Sequence, residues 1–441
     1  MSYRDGVKNG TGETAASSAR EIGLKRRRYL AAASGTASLS LAGCVETIGS
    51  VAGGAGENVP ITIGLLAPNP DRNFIGRSMV RSAKVAVDGL GTINGRNVEL
   101  VVGNTGQSPL EARRQYHRLV LEEGADVTVG VFTSEVLVNI MDDIAEQEMI
   151  HITSGAATTE ASQMVREEYE KYKYHFRAGP NNDRDLGRNQ VDFVTAMAPE
   201  VGWDSIAVIA EDYKWTEKPW EVYQNSLGDT DVEVVLTERY PPETDDFTDL
   251  YDRVQAAEAD LAFITTAHTG TAALLDWVTP QPRPFAFGGI HVPMQLPAYY
   301  KLTKGACRFG ISQTSATPTS KITPETRPFV QNYQEKWGES NPVYTGYHTH
   351  DAIKLFAHAV EETGTLDSDE LVEFFEGTSF TGAAGTLEFY DRDHEYPHDL
   401  KYNMEDNVYF QWQENDDGEG VQEVVWPEKH RTAEYKAPPW V

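Results

Sequence analysis

The sequence predicts an α/β protein built as two doubly wound lobes, and three observations carry that prediction. From Pro60 onward, short β-branched runs alternate with amphipathic helical stretches. The alternation comes in two consecutive series, and a turn-rich break at 177–183, RAGPNND, separates them. At 441 residues the chain is long enough for two or three domains with ample core in each.

The front of the chain reads as a leader. Lys25-Arg26-Arg27-Arg28-Tyr29-Leu30 has the form of a twin-arginine export signal. The Ala- and Ser-rich stretch Ala31 to Leu41 that follows is too short to span a bilayer. Leu41-Ala42-Gly43-Cys44 resembles a lipoprotein box, in which the chain is cut before the cysteine and its sulfur takes the lipid. The expectation is therefore a signal peptide at 1–43, a lipid-carrying Cys44, and a Gly-rich tether at 44–59 outside the cell membrane. Cys307 is the only other cysteine, so an acylated Cys44 leaves no intrachain disulfide.

Charge narrows the setting. Without residues 1–43 the chain carries 31 Lys and Arg against 64 Asp and Glu, a formal net charge of −33. Such a surface repels nucleic acid, anionic lipid and, at low ionic strength, itself. Molar salt shortens the Debye length to about 3 Å and removes most of that penalty, which points to an extracellular protein of a saline medium.

The elements follow in order. Ile61 to Leu66 reads as a strand and Gly76 to Leu90 as a helix with Met79, Val80, Ala83, Val87 and Leu90 on one face; Asn94-Gly95 turns the chain into a strand at Val98 to Val102. Pro109 to Glu122 is a helix opened by Ser108 as cap and Pro109 in its first turn. Val127 to Val131 is a buried parallel strand with Ser134 at the start of the next helix, and Ile150 to Thr153 repeats the pattern with Thr158 capping a helix from Glu160 to Tyr172. The second series has strands at Ile206 to Ala210, Val232 to Leu236, Leu261 to Thr265 and Phe285 to Phe287. Its helices fall at Trp215 to Leu227 and Asp245 to Ala259. Helices at Pro324 to Trp337 and Tyr344 to Val360 then return to the first lobe, and Val408 to Gln413 is the final strand.

Ser134 and Thr158 stand at two adjacent strand ends facing one crevice. The helix N-termini there offer unpaired N–H groups and partial positive charge, so a small anion such as a carboxylate suits both turns. Ser and Thr are also ordinary helix caps worth about 1 kcal/mol, which by itself explains their presence.

Ile61-Gly64-Leu65-Leu66-Ala67-Pro68, Phe74-Ile75-Gly76, Ala86-Val87-Asp88, Ile93-Asn94-Gly95-Arg96 and Val98-Glu99-Leu100-Val101 resemble the opening of the type I solute-binding proteins of the Leu/Ile/Val-binding family. The likeness continues through Gly130 to Ser134, Ser154 to Thr158, Asp212 to Thr216, Tyr347 to Ala352 and Gly385 to Asp391, nearly the whole chain after the tether. It implies two lobes, 60–178 plus 315–402 and 179–314 plus 403–441, joined by a three-stranded hinge and closing on a ligand that passes to an ABC permease. It also implies a monomer without cofactor or metal.

The resemblance places Ser134 and Thr158, with the neighbouring Thr133 and Ala156, against the ligand's polar end, and Tyr213 and Trp215 on the second lobe's wall. Where amino-acid binders carry a glutamate for the ammonium group, this chain reads Gly288-Gly289-Ile290-His291. That sets His291 against the ligand and leaves a branched-chain amino acid competing with a related carboxylate or amide. A sensor module of the same fold is the alternative use. An enzyme is disfavoured: there is no P-loop, HExxH or G-x-S-x-G, and His348 and His350, two apart, cannot ligate from one helix face.

Overall fold

The structure, a computed structural model, describes residues 59–338 and 340–441. The leader, Cys44 and most of the tether lie outside the described residues. Among the described residues no helix is long and apolar enough to cross a membrane.

The first lobe is built on a six-stranded sheet of β1 (Ile61–Ala67), β2 (Thr92–Ile93), β3 (Arg96–Asn104), β4 (Val127–Gly130), β5 (His151–Thr153) and β6 (His175–Arg177), in the order β2-β3-β1-β4-β5-β6. All pairs are parallel except β2 with β3. Every residue of β1, ITIGLLA, is buried, as an unbroken apolar run sandwiched by helices on both faces requires. The helix Phe74–Leu90 opens on Asn73, whose side chain accepts from the Ile75 N–H at 2.8 Å, and it buries Ile75, Met79, Ala83 and Ala86 along one stripe. Late in the chain Thr326–Trp337, Tyr344–Thr363 and Ser368–Gly377 return as helices of this lobe, and Tyr344–Thr363 lies along Phe74–Leu90. That contact needs Gly346, since a Cβ there would stand 2.3 Å from Ser78 Oγ.

The second lobe carries a parallel sheet of β7 (Ser205–Glu211), β8 (Glu233–Tyr240), β9 (Leu261–Thr266) and β10 (Ala286–His291), in the order β10-β9-β7-β8. Beside β10 sits an antiparallel sheet of β11 (Ile311–Thr314), β14 (Val408–Glu414) and β15 (Gly420–Trp426). A hairpin of β12 (Phe380–Thr381) and β13 (Thr386–Leu387) completes the strands among the described residues. The chain passes between the lobes three times, and side-chain amides tie the passages together. Asn407 donates to Asn181 Oδ1 at 2.6 Å and accepts from Gln313 Nε2 at 2.8 Å.

Several expectations need correction. The stretch Val408–Glu414 is not the last strand, because Gly420–Trp426 folds back on it antiparallel, with Val424 and Val425 buried. The helix expected over Glu160 to Tyr172 breaks at Glu168, whose φ of −133° and ψ of 63° leave the helical region, giving Glu160–Glu167 and a separate turn at Tyr169–Tyr172. The helix expected from Trp215 begins at Glu217 after a tight 3-10 turn, Lys214–Thr216. The strand expected at Phe285 to Phe287 runs on to His291, and that extension bears directly on the cleft.

Candidate functional site

Strand order reverses around β1, whose neighbours are β3 on one side and β4 on the other, so the crevice at the C-terminal ends of β1 and β4 is the topological switch point of the first sheet. Gly130 brings β4 so close to β1 that a Cβ would stand 2.2 Å from the Leu66 carbonyl. Val131 follows at φ +56°, a strained left-handed conformation for a β-branched residue. Its N–H donates to Leu66 O at 3.0 Å and its carbonyl accepts from Ala156 N at 3.2 Å. This sharp turn aims Thr133 and Ser134 across the cleft.

Ser134 is the first residue of the helix Ser134–Gln147, and Thr133 at its cap makes no side-chain cap bond. The first-turn N–H groups of that helix therefore lack intrahelical partners and carry partial positive charge. The Ser134 side chain is 3% exposed, and its Oγ is buried without a hydrogen-bond partner. A buried orphan hydroxyl of that kind costs about 1–3 kcal/mol unless something enters to pair with it.

Ser134 opens onto a cavity of about 590 Å3 between the lobes, mouth included. The first lobe contributes Phe132, Thr133, Ser134, Gly155, Ala157 and Tyr344. The wall opposite is formed by Tyr213, Trp215, Ala267, His268, Ile290 and Val292, with Gln295, Gln313 and Ser315 toward the passages between lobes. Most of this lining is aromatic or aliphatic, and no aspartate or glutamate belongs to it. Several of its polar groups are already engaged: Gln295 donates to Gln313 O at 3.1 Å and accepts from Tyr344 N at 3.2 Å, and Ser315 Oγ meets His348 Nε2 at 2.7 Å.

A buried acid stands behind the second wall. Glu211, fully buried at the end of β7, accepts from Trp215 Nε1 at 2.7 Å and Thr266 Oγ1 at 2.7 Å, and from both the ring Nδ1 of His268 at 2.8 Å and its backbone N–H at 3.1 Å. Burial opposes its charge, but hydrogen bonds from His268, Thr266 and Trp215 outweigh it and hold the carboxyl below its ordinary range. Glu211 thus fixes Trp215 and His268 in place. Burial and the nearby Glu135 and Glu211 push the Tyr213 phenol up. At the lip of the cleft Lys214 reaches Glu160 across the lobes at 2.9 Å, an exposed pair worth about 0–1 kcal/mol.

The structure brings Thr133, Ser134, Tyr213 and Trp215 to one cavity and leaves Ala156, Thr158 and His291 out of its lining. The Ala156 N–H is held by Val131, and the carbonyls of Ala156 and Thr158 are held by Arg177. Thr158 faces a neighbouring opening beside Glu160 and Lys214, and its Oγ1 accepts from Glu160 N at 3.2 Å. His291 is corrected by the strand itself. Because β10 continues to His291, side chains alternate: Ile290 and Val292 face the cleft, while His291 turns into the core against Phe287 and Tyr299. There it is fully buried, which pushes it down to about 4 and keeps it neutral. The residue facing the cavity from this turn is therefore the aliphatic Ile290. His348 and His350 are structural, bonded to Ser315 and to Asp351, and Asp351 caps the Ala383 and Ala384 N–H groups.

A family model described as a periplasmic binding protein matches residues 60–402. The Leu/Ile/Val-binding protein homolog 7 of Brucella suis biovar 1 (strain 1330) is 24% identical over 307 residues, covering 66% of this chain and 74% of that protein. A putative branched-chain amino acid ABC transporter protein from Silicibacter pomeroyi superposes with a TM-score of 0.73 at 17% identity, over 87% of this chain and all of the other. A solute-binding protein of an ABC transporter from Rhodopseudomonas palustris HaA2, in complex with p-hydroxybenzoic acid, superposes with a TM-score of 0.69 at 16% identity, over 86% and 98%. At these identities the superpositions speak for the fold.

Proposed function

The chain belongs to the periplasmic binding protein family, and from that premise we propose that it captures a small carboxylate with an apolar body and delivers it to an ABC permease. The single observation that carries the solute class is the contrast between the two walls. Ser134 Oγ and the first turn of its helix offer unpaired donors to an anion, whereas the facing wall offers Ile290, Val292 and Trp215 and no acid to pair with an ammonium group. An amino acid would bring its ammonium to a wall whose nearest acids stand outside the lining, Glu211 saturated with donors and Glu135 beside Tyr213, and burying a polar group unpaired costs several kcal/mol. The two structural neighbours point to both chemistries, one named for branched-chain amino acids and one holding a hydroxylated aromatic acid. The cavity of this chain favours the second.

The same proposal includes the setting. A lipid on Cys44 would hold the protein at the outer face of the cell membrane, and the excess of 33 negative charges suits a saline exterior. Native mass spectrometry of the protein taken from its own cells in high salt tests both parts. The expected species begins at Cys44, carries a lipid mass there and retains one small organic acid. A mature N-terminus without lipid would remove the anchor, and a retained amine would remove the solute class.

A further inference from the structure

His268 is the lining residue with an uncommitted ring nitrogen, and its geometry specifies which nitrogen that is. Glu211 is a carboxylate and can only accept, so the 2.8 Å contact between Oε1 and His268 Nδ1 requires the proton on Nδ1. Oε1 also takes Trp215 Nε1, and Oε2 takes Thr266 Oγ1 and the His268 N–H, so the acid is saturated with donors and cannot turn away. The ring is braced by Tyr213, with centroids 4.6 Å apart, and faces Phe132 of the first lobe at 6.5 Å. Its side chain keeps 24% exposure, on the cavity side. With the proton on Nδ1 and none on Nε2, the ring presents a bare lone pair to the cavity, a hydrogen-bond acceptor beside the aliphatic Ile290 and Val292.

We propose that His268 Nε2 is the acceptor that selects a hydroxyl-bearing carboxylate over its deoxy counterpart, with Glu211 as the positioning residue that fixes the tautomer. This rests on the reading of the cavity as the carboxylate site, and it assigns the second polar end of the solute. The carboxylate pairs with Ser134 and its helix in one lobe, the hydroxyl donates to His268 in the other, and the apolar body fills the space between. A solute bonded at both ends would also hold the lobes closed, since each end is read by a different lobe. An alkylated oxygen in place of the hydroxyl cannot donate and gains nothing from Nε2.

The test is calorimetric titration of the wild type and His268→Phe with 3-phenylpropanoate, 3-(4-hydroxyphenyl)propanoate and 3-phenyllactate. 3-(4-Hydroxyphenyl)propanoate, whose hydroxyl lies at the end away from the carboxylate, should bind the wild type about fivefold or more tighter than the parent acid, and the difference should shrink below about twofold in the variant, whereas 3-phenyllactate should gain less than about twofold in either protein. If 3-(4-hydroxyphenyl)propanoate does not gain over the parent, if 3-phenyllactate gains as much, or if the gain survives in His268→Phe, the inference is overturned while the carboxylate site stands. If none of the three binds the wild type, the carboxylate reading falls and this inference with it. Nitrogen NMR of the wild-type protein reads the tautomer without any variant: a protonated Nδ1 and a bare Nε2 at His268 are expected, and either the opposite tautomer or a ring protonated on both nitrogens overturns the assignment.

Discussion

Arg177→Met should lower the stability of the folded protein by about 3–5 kcal/mol, the usual cost of breaking a buried ion pair from one side. Arg177 and Asp399 are both fully buried, with Nε 2.7 Å from Oδ1. The guanidinium also donates to the carbonyl of Ala156 and, at 2.7 Å, to that of Thr158, while Asp399 accepts from Asn182 at 3.0 Å. One side chain thus ties together the loop after β5, the first passage between the lobes and the late segment around residue 399. Methionine would leave an unpaired carboxylate and two unpaired carbonyls in the interior. Gly155 and Ala157 flank the pinned carbonyl of Ala156 and line the cavity, so the same change should loosen one of its walls. Urea unfolding in high salt measures the effect, and the double variant Arg177→Met with Asp399→Leu should recover a large part of the loss because no charge is then stranded. A single variant within about 0.5 kcal/mol of wild type would show that the pair does not hold the loop.

Ser134→Ala should weaken solute binding by about 1–3 kcal/mol, roughly fivefold to 150-fold in Kd. The hydroxyl is buried and has no partner within the protein, so its interaction with a bound oxygen is gained on binding and is not exchanged against an internal bond. Binding should not vanish, since the N–H groups of the helix remain. The fold should keep its stability or gain up to about 1–3 kcal/mol, because alanine removes an unsatisfied polar atom from a buried position. Titration calorimetry with thermal unfolding separates the two effects, and an unchanged Kd would mean that the anion site lies elsewhere.

Much of the first lobe was legible in the chain. A run such as ITIGLLA has one stable home, the centre of a parallel sheet, and Asn73, Ser108 and Pro109 mark helix starts by chemistry that acts locally. Ser134 was legible for the same reason, as a polar residue at the end of an apolar strand. Thr158 has the same local signature, yet the difference between them is tertiary: Thr158 Oγ1 turns to Glu160 N, while Ser134 Oγ finds no partner.

His291 shows where local reading runs out. Strand side chains alternate with period two, so a strand end misplaced by a few residues exchanges the residue that faces the cleft with the one that faces the core. His268 was missed although it carries the same kind of signal as Ser134, a polar residue just beyond the strand Leu261–Thr266. What the chain could not disclose is its partner, because Glu211 is 57 residues away and meets it only across β7 and β9. The second lobe does hold a buried acid, Glu211 at the end of β7 and not in the turn after Phe287, and it stands behind the wall, where it orders Trp215 and His268.

Whether the cavity takes a carboxylate and refuses an ammonium group is decided by titration calorimetry of the wild-type protein with 3-phenylpropanoate and with phenylalanine, which differ only by that group. Tighter binding of 3-phenylpropanoate by about tenfold or more is the predicted result, about 1.4 kcal/mol in favour of the solute without the amine. Equal or tighter binding of phenylalanine would contradict it and would require an acidic partner for the ammonium that the walls of this cavity do not supply.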